Sequence, residues 1–218
     1  GVVRTAVEVL PRSQSGRELL LVANTIGSKD AQVRLATLLA LSDMPRSNDC
    51  AKLALASLQS SKNRSDRWLV DAATSVAAKN SGDFLVLVSG LEVSGGAVFN
   101  AIAVVSEHMA RSADRDAIST VLPVLAGATP EIRSAVIAGW TRGWPKDTPA
   151  NLTREADDQL LGVFETLDAG GKGQLIRLAA AFGSAKLAEN AKMISASLMK
   201  IASDEEMEGQ ARVDAATE

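Results

Sequence analysis

Few side chains in this sequence are able to make or break bonds. Among 218 residues there is one histidine, His108, and one cysteine, Cys50. A metal site with several His or Cys ligands cannot be assembled from that supply within one chain. A Ser-His-Asp or Cys-His arrangement would have to be built on His108 alone. His108 stands in Val104-Val105-Ser106-Glu107-His108-Met109, toward the end of an expected helix. As a general base or a haem axial ligand it would need an orienting partner, and Glu107 lies on the wrong side of the helix to serve. The plainer account is a polar residue near a helix C-terminus. Cys50 sits at an expected helix start, beside Asp49. A helix N-terminus can lower a thiol pKa, but without a resolving cysteine Cys50 reads as a small apolar filler.

Two further groups invite attention. Gly170-Gly171-Lys172-Gly173 has the composition of a phosphate loop, but Gln174 follows where Ser or Thr is required and no strand precedes it, so it reads as a helix–helix turn. The three tryptophans, Trp68, Trp140 and Trp144, are the best recognition candidates, because Trp is enriched at binding hot spots. For Trp68 and Trp140 the stronger reading is that they fill space between packed helices. For Trp144 packing and binding both stand open. The loop Trp144-Pro145-Lys146-Asp147-Thr148-Pro149 would project from one edge, so Trp144, Lys146 and Asp147 are the candidate protein-binding residues.

The elements that must position these residues follow from composition and spacing. Hydrophobic residues make up 46% of the chain and aromatic ones only 3%, with no Tyr, which weighs against carbohydrate clefts, aromatic cages and single-strand nucleic-acid grooves. The net charge of −3 and pI near 5.4 provide no basic stripe for nucleic acid. No apolar run approaches the roughly 20 residues that span a bilayer, and the start, Gly1-Val2-Val3-Arg4-Thr5, lacks the layout of a signal peptide. Ala and Leu, both strong helix formers, are abundant, and no alternating strand pattern recurs. The chain is expected to be all-α.

A short pattern returns along it: an aliphatic residue, Arg, any residue, Ala. It stands at Val3-Arg4-Thr5-Ala6, Val33-Arg34-Leu35-Ala36, Ile132-Arg133-Ser134-Ala135 and Ile176-Arg177-Leu178-Ala179. Looser copies occupy Leu69-Val70-Asp71-Ala72, Val98-Phe99-Asn100-Ala101 and Ala211-Arg212-Val213-Asp214. Successive copies are separated by 30, 36, 29, 34, 44 and 35 residues, the range of helical-pair repeats, and the long step contains the Trp144–Pro149 loop. Each interval has room for two helices. Asp30, Ser65-Asp66, Thr129-Pro130-Glu131 and Asp204-Glu205-Glu206 mark helix starts. Gly27, Gly90 and Gly183 fit left-handed C-terminal stops, and Pro123 is expected to kink its helix. From Ala185 to Ile201 one face carries Leu187, Ala191, Ile194, Leu198 and Ile201. Glu218 falls in the middle of an expected helix and neither end has a polar capping unit, which predicts a piece of a larger protein; the missing signal peptide then says nothing of localisation.

The period, the Asp before an aliphatic-Arg pair and the following Ala resemble HEAT repeats over essentially the whole chain. In that family the Arg and the Asp form a ladder between neighbouring units. Asp30 with Arg34 fits it, whereas Leu69-Val70 and Val98-Phe99 lack the Arg and would break it in the middle. A narrower resemblance lies in Asp66-Arg67-Trp68-Leu69-Val70-Asp71-Ala72-Ala73, in Ala138-Gly139-Trp140-Thr141-Arg142-Gly143-Trp144-Pro145 and in Leu175-Ile176-Arg177-Leu178-Ala179. These are similar to the helical-repeat region of large bacterial proteins that join a sugar-dehydrogenase-like β-propeller to a c-type haem domain. That resemblance implies export to the periplasm or cell surface, with a cytoplasmic location left open, and the haem-attachment sequence Cys-x-x-Cys-His is absent from this chain. In a bacterial protein Asn63-Arg64-Ser65 and Asn151-Leu152-Thr153 carry no glycosylation signal; Ser65 and Thr153 read as helix caps.

The expectation is therefore an α-solenoid of about six stacked antiparallel helix pairs, HEAT/armadillo-like. Its units lie near 1–27, 28–62, 63–92, 93–127, 128–170 and 171–203, with another starting at 204–218. Arg4, Asp30, Arg34, Arg133, Arg177 and Arg212 are its structural residues. The expected function is a non-catalytic scaffold that binds a protein partner or other domains of its own polypeptide through successive second helices, with no cofactor in this segment, no nucleic acid and no transmembrane segment. The alternative is a structural segment of a haem-containing dehydrogenase whose catalytic domains lie outside these residues. A repeat-protein enzyme such as a bilin lyase or a DNA-glycosylase-like solenoid is the least favoured reading, since the glycosylase needs a basic concave face.

Overall fold

The computed structural model describes residues 1–92, 96–113, 115–145, 148–150, 152–167 and 169–203. Every regular element among them is helical. In chain order they are α1 (Val2–Val9), α2 (Gln14–Val22), a 3-10 turn (Thr25–Gly27), α3 (Ala31–Ser42), α4 (Asn48–Gln59), α5 (Arg67–Lys79) and α6 (Ser81–Ser89). Then follow α7 (Gly96–Arg111), α8 (Arg115–Leu125), α9 (Pro130–Gly143), α10 (Arg154–Glu165), α11 (Ala169–Phe182) and α12 (Ala185–Ser203).

The starts are chemically defined. The first N–H groups of a helix have no partner within it, and a short polar side chain before the helix supplies one. Ser13 accepts from the Gly16 N–H, Asp30 from Gln32, Ser47 from Asp49, Thr129 from Ile132 and Thr153 from Ala156. Asp66, rather than the Ser65 before it, caps α5, taking both the Trp68 and Leu69 N–H groups. Among the expected stops only Gly183 adopts a left-handed backbone, at φ +72°. Gly90 is at φ −89°, and Gly27 lies inside the 3-10 turn; the left-handed residue after α2 is Asn24, at φ 46°. Asn tolerates that region because its short side chain bonds locally. Pro123 lies on the exposed side of α8, which continues through it to Leu125. The expected helix start at Asp204-Glu205-Glu206 and the motif at Arg212 lie outside the described residues, as do the side chains of Ile194, Leu198 and Ile201.

From α3 onward most helices rest on the helix two places along, and α4 also packs closely on α5. α1, α3, α5, α7, α9 and α11 form one row of neighbours, and α4, α6, α8, α10 and α12 form a second. Between the rows lies one continuous apolar cluster that includes Leu38, Leu41 and Met44 from the α3 region, Leu69 and Val76 from α5, and Phe84 from α6. It continues through Ile102 of α7, Ile118 of α8, Ile137 and Trp140 of α9, and Leu178 and Phe182 of α11. Full burial of a Leu, Ile or Phe side chain stabilises by about 1.5–3 kcal/mol each, so this cluster is the main source of stability.

The closest approach in the odd-numbered row is between α7 and α9, and it depends on two glycines. A Cβ on Gly139 would stand 2.6 Å from the Ser106 Cβ, and one on Gly143 would stand 2.2 Å from the Glu107 carbonyl oxygen. The two glycines, four residues apart, are on one face of α9, and they admit the backbone of α7. Arg142 of α9 then reaches across to Glu107, with 3.1 Å between Nε and Oε2. Gly143→Ala is expected to force the helices apart against a backbone atom and to lower stability by about 1–3 kcal/mol, the cost of overpacking. Gly162→Ala on α10, where a Cβ meets nothing within 4 Å, is the control and should be neutral or slightly stabilising. Urea unfolding of the two variants measures the difference.

Candidate interaction surface

The repeat arginines separate into two kinds. Arg34 and Arg133 are 8% and 9% exposed, and they occupy the same place, the fourth residue after a capping Asp30 or Thr129. The Arg34 guanidinium donates to the Ser28 carbonyl (2.9 Å), the Lys29 carbonyl (3.1 Å) and, across the pair, Asn63 Oδ1 (3.0 Å). Arg133 donates to the carbonyls of Ala126 (3.0 Å), Ala128 (2.7 Å) and, across its own pair, Thr166 (3.1 Å). Each thus ties the turn before its first helix to the turn after its second. Carbonyls in such turns have no helical partner, and a rigid planar fork of donors suits several of them at once.

This replaces the expected Asp–Arg ladder. Asp30 is occupied in capping α3, accepting from the Gln32 N–H at 2.8 Å, and its carboxylate is not the partner of Arg34. Arg4 is exposed and pairs within α1 with Glu8 at 2.7 Å and with Gln32 at 3.4 Å. Arg177 is also exposed, because α11 begins at Ala169 and carries this residue eight positions into the helix, beyond reach of the preceding turn. Val70 holds the arginine's place in α5. The fold is open beside it, in a recess of about 790 Å³ lined in part by Leu58, Arg64, Arg67, Val70 and Ala97.

The tryptophans are distributed in an order that the sequence did not suggest. Trp140 is fully buried, 6.5 Å from the Phe182 ring, and Trp144 is 6% exposed with Phe182 edge-on at 4.6 Å. The Trp144 Nε1 donates to the Thr148 carbonyl at 2.7 Å, so the indole anchors its loop and faces inward. Lys146 and Asp147 lie outside the described residues. Trp68, expected to fill space between helices, is instead 70% exposed, just inside the start of α5. Gly170-Gly171-Lys172-Gly173 lies within the first turn of α11, with the Lys172 ammonium 5.6 Å from the Phe164 ring centre.

Neither reactive residue is arranged for chemistry. Cys50 is fully buried, and burial, more than any neighbouring charge, pushes its thiol pKa up; Asp49 adds to the effect, while Arg17 and a hydrogen bond with Ser47 oppose it. His108 is exposed in the last turn of α7, and Glu107 beside it is engaged by Arg111 and Arg142. No group of three or more His, Cys, Asp or Glu residues placed to hold a metal occurs among the described residues. No described helix is long and apolar enough to cross a membrane.

Large accessible apolar side chains in the middle of the fold lie on α3, α5 and α7. Among the described residues from α3 through α11, the large exposed apolar side chains are Leu39 on α3, Trp68 on α5 and Val104 on α7, all three in the odd-numbered row. Many outward positions of α4, α8 and α10 are polar, Lys52, Gln59, Asp116, Thr120, Arg154 and Asp158 among them, whereas α2 exposes Leu19 and Val22, α12 exposes Met193 and Met199, and Val86 and Leu87 of α6 are half-buried. A trough runs between α5 and α7, formed by two concavities of about 410 and 340 Å³ that share Thr74, Ser75 and Val104 as walls. Its signal was hidden in the sequence because the residues that create it, Ala78, Ala97 and Ala101, are too ordinary to mark a site.

No known protein family, curated protein or solved structure matches the chain.

For Cys50 the burial predicts a thiol that stays protonated and unreactive in the native state. A thiol reagent at neutral pH should modify it at the rate of global unfolding, and immediately in denaturant. Because the folded-state pKa is raised, the associated stability is complete below the ordinary value of 9.0 and is lost as pH rises beyond it. Rapid modification of the folded chain would contradict this account.

Proposed function

We propose that the chain is a HEAT-like α-solenoid acting as a non-catalytic scaffold, which holds a protein partner, or another domain of its own polypeptide, against the face made by its first helices. The observation that carries this reading is the packing of most helices on the helix two places along, in two rows with one apolar cluster between them. An array of this kind offers an extended surface in place of a closed pocket. The buried Cys50, the unpaired placement of His108 and the covered Trp144 leave the accessible apolar residues Leu39, Trp68 and Val104 as the supports for a binding role. The surface proposed is the stretch of α3, α5 and α7 that carries these three residues.

Two measurements test the reading. A compact domain of this length would have a radius of gyration of about 17 Å. Small-angle scattering of the chain should give a clearly larger value and an elongated distance distribution; a value near that of a compact domain would remove the solenoid. A photo-crosslinking residue placed at Trp68, and separately at Lys52 on α4, then tests the face. In the parent protein the Trp68 site should form a discrete adduct to another domain or polypeptide and the Lys52 site should not. Adducts at neither site, or equally at both, would remove the assignment of the binding face.

A further inference from the structure

The trough between α5 and α7 has features that specify what would fill it. It runs from Val70 and Ala97 to Lys79 and His108, which is nine residues along α5, or about 14 Å at the rise of a helix. Its floor is less polar than its sequence. The Thr74 hydroxyl donates to the Val70 carbonyl (2.9 Å) and the Ser75 hydroxyl to the Asp71 carbonyl (3.0 Å), so both are already satisfied within α5. Beside them lie Ala78, Ala97 and Ala101. Val104 stands 53% exposed midway along.

The two ends differ in charge. At one end the Asp71 carboxylate is paired with Arg67 at 3.3 Å. At the other, Lys79 and His108 stand together in the last turns of α5 and α7. Neither has an acidic partner among the described residues, since nearby Glu107 is held by Arg111 and Arg142. Both side chains donate hydrogen bonds, and a carboxylate arriving over that end would find two unspent donors.

We propose that this trough docks an amphipathic helix from a protein partner, with two or three aliphatic side chains laid against Val104 and a Glu or Asp at the end that meets Lys79 and His108. A helix fits better than an extended strand. The described fold has no strand edge to pair with, so an extended backbone over this floor would leave its own N–H and C=O groups unsatisfied, whereas a helix satisfies them internally. The unequal ends fix its direction. The proposal rests on the scaffold reading above and names the partner chemistry of one part of its surface.

The test is selection of binders to the intact chain from a display library of helix-forming 16-residue peptides randomised over Ala, Leu, Glu and Lys. Selected peptides should carry Leu at helical spacing (i, i+3 or i+4, i+7) followed by Glu. Their affinity should fall at least tenfold against Val104→Glu and against Lys79→Glu, and exchange of the peptide's Glu for Lys should restore binding to the Lys79→Glu variant. Both substitutions are at exposed positions, and thermal unfolding monitored by circular dichroism checks that they fold. Ser75→Leu, which fills the trough without adding charge, serves as a second blocking variant should Val104→Glu unfold. Failure to select any peptide, or selected peptides that bind all variants equally, would overturn the proposal. So would a dimer of the chain alone, seen by sedimentation, that Val104→Glu dissociates, since a second copy would then be the occupant. If peptide selection fails while the Trp68 crosslink persists, the scaffold reading stands without the trough; if both fail, both are withdrawn.

Discussion

A single pair of helices cannot cover its own apolar stripe, and every other feature of this fold answers to that constraint. With about 30 residues per pair and very few aromatic side chains, each helix can bury its Leu, Ile and Val residues only against a neighbouring pair. From α3 onward that neighbour is most often the helix two places along, with α4 also resting on α5. The apolar cluster accordingly draws on nearly every helix instead of on one central pair.

The polar groups between the helices have to be reconciled with that core. Turns bring carbonyls close to a low-dielectric interior, where unmet hydrogen-bonding groups are costly. Arg34 and Arg133 meet this demand with one guanidinium serving three acceptors, two in the preceding turn and one in the turn after the second helix. Their effect is to fix how the two ends of a pair relate to each other. Because the acceptors are backbone carbonyls and an amide, the arrangement needs no buried carboxylate and avoids the desolvation of a second ion. Beside Val70, where that donor is missing, the fold is more open, and Val70 also borders the α5–α7 trough.

Aromatic residues show how strongly neighbourhood overrides type. Trp140 and Trp144 fall next to the glycine-faced contact of α7 with α9 and the Phe182 end of α11, where large rings fill the space between layers. Trp68, in the first turn of α5, has no such layer beside it and projects into solvent. The same side chain is thus core in two positions and surface in the third.

Much of the local structure was readable from the sequence, because it depends on chemistry between residues close in the chain. Asp30, Asp66, Thr129-Pro130 and Thr153 announce helix starts through donors two or three residues away, and the Ala- and Leu-rich intervals between them can form little besides helix. Tertiary structure decided the rest. That Arg34 bonds to carbonyls and Asn63 while Arg177 faces water depends on where each helix begins relative to its arginine, a matter of one or two turns that the four-residue motif does not encode. That Gly139 and Gly143 admit a neighbouring backbone, that Trp144 turns inward, and that Ala97, Ala101 and Val104 leave an open trough are all properties of a second helix's position. Side chains of ordinary type acquire such roles only from what is placed opposite them, and that is set by packing between segments 30 or more residues apart.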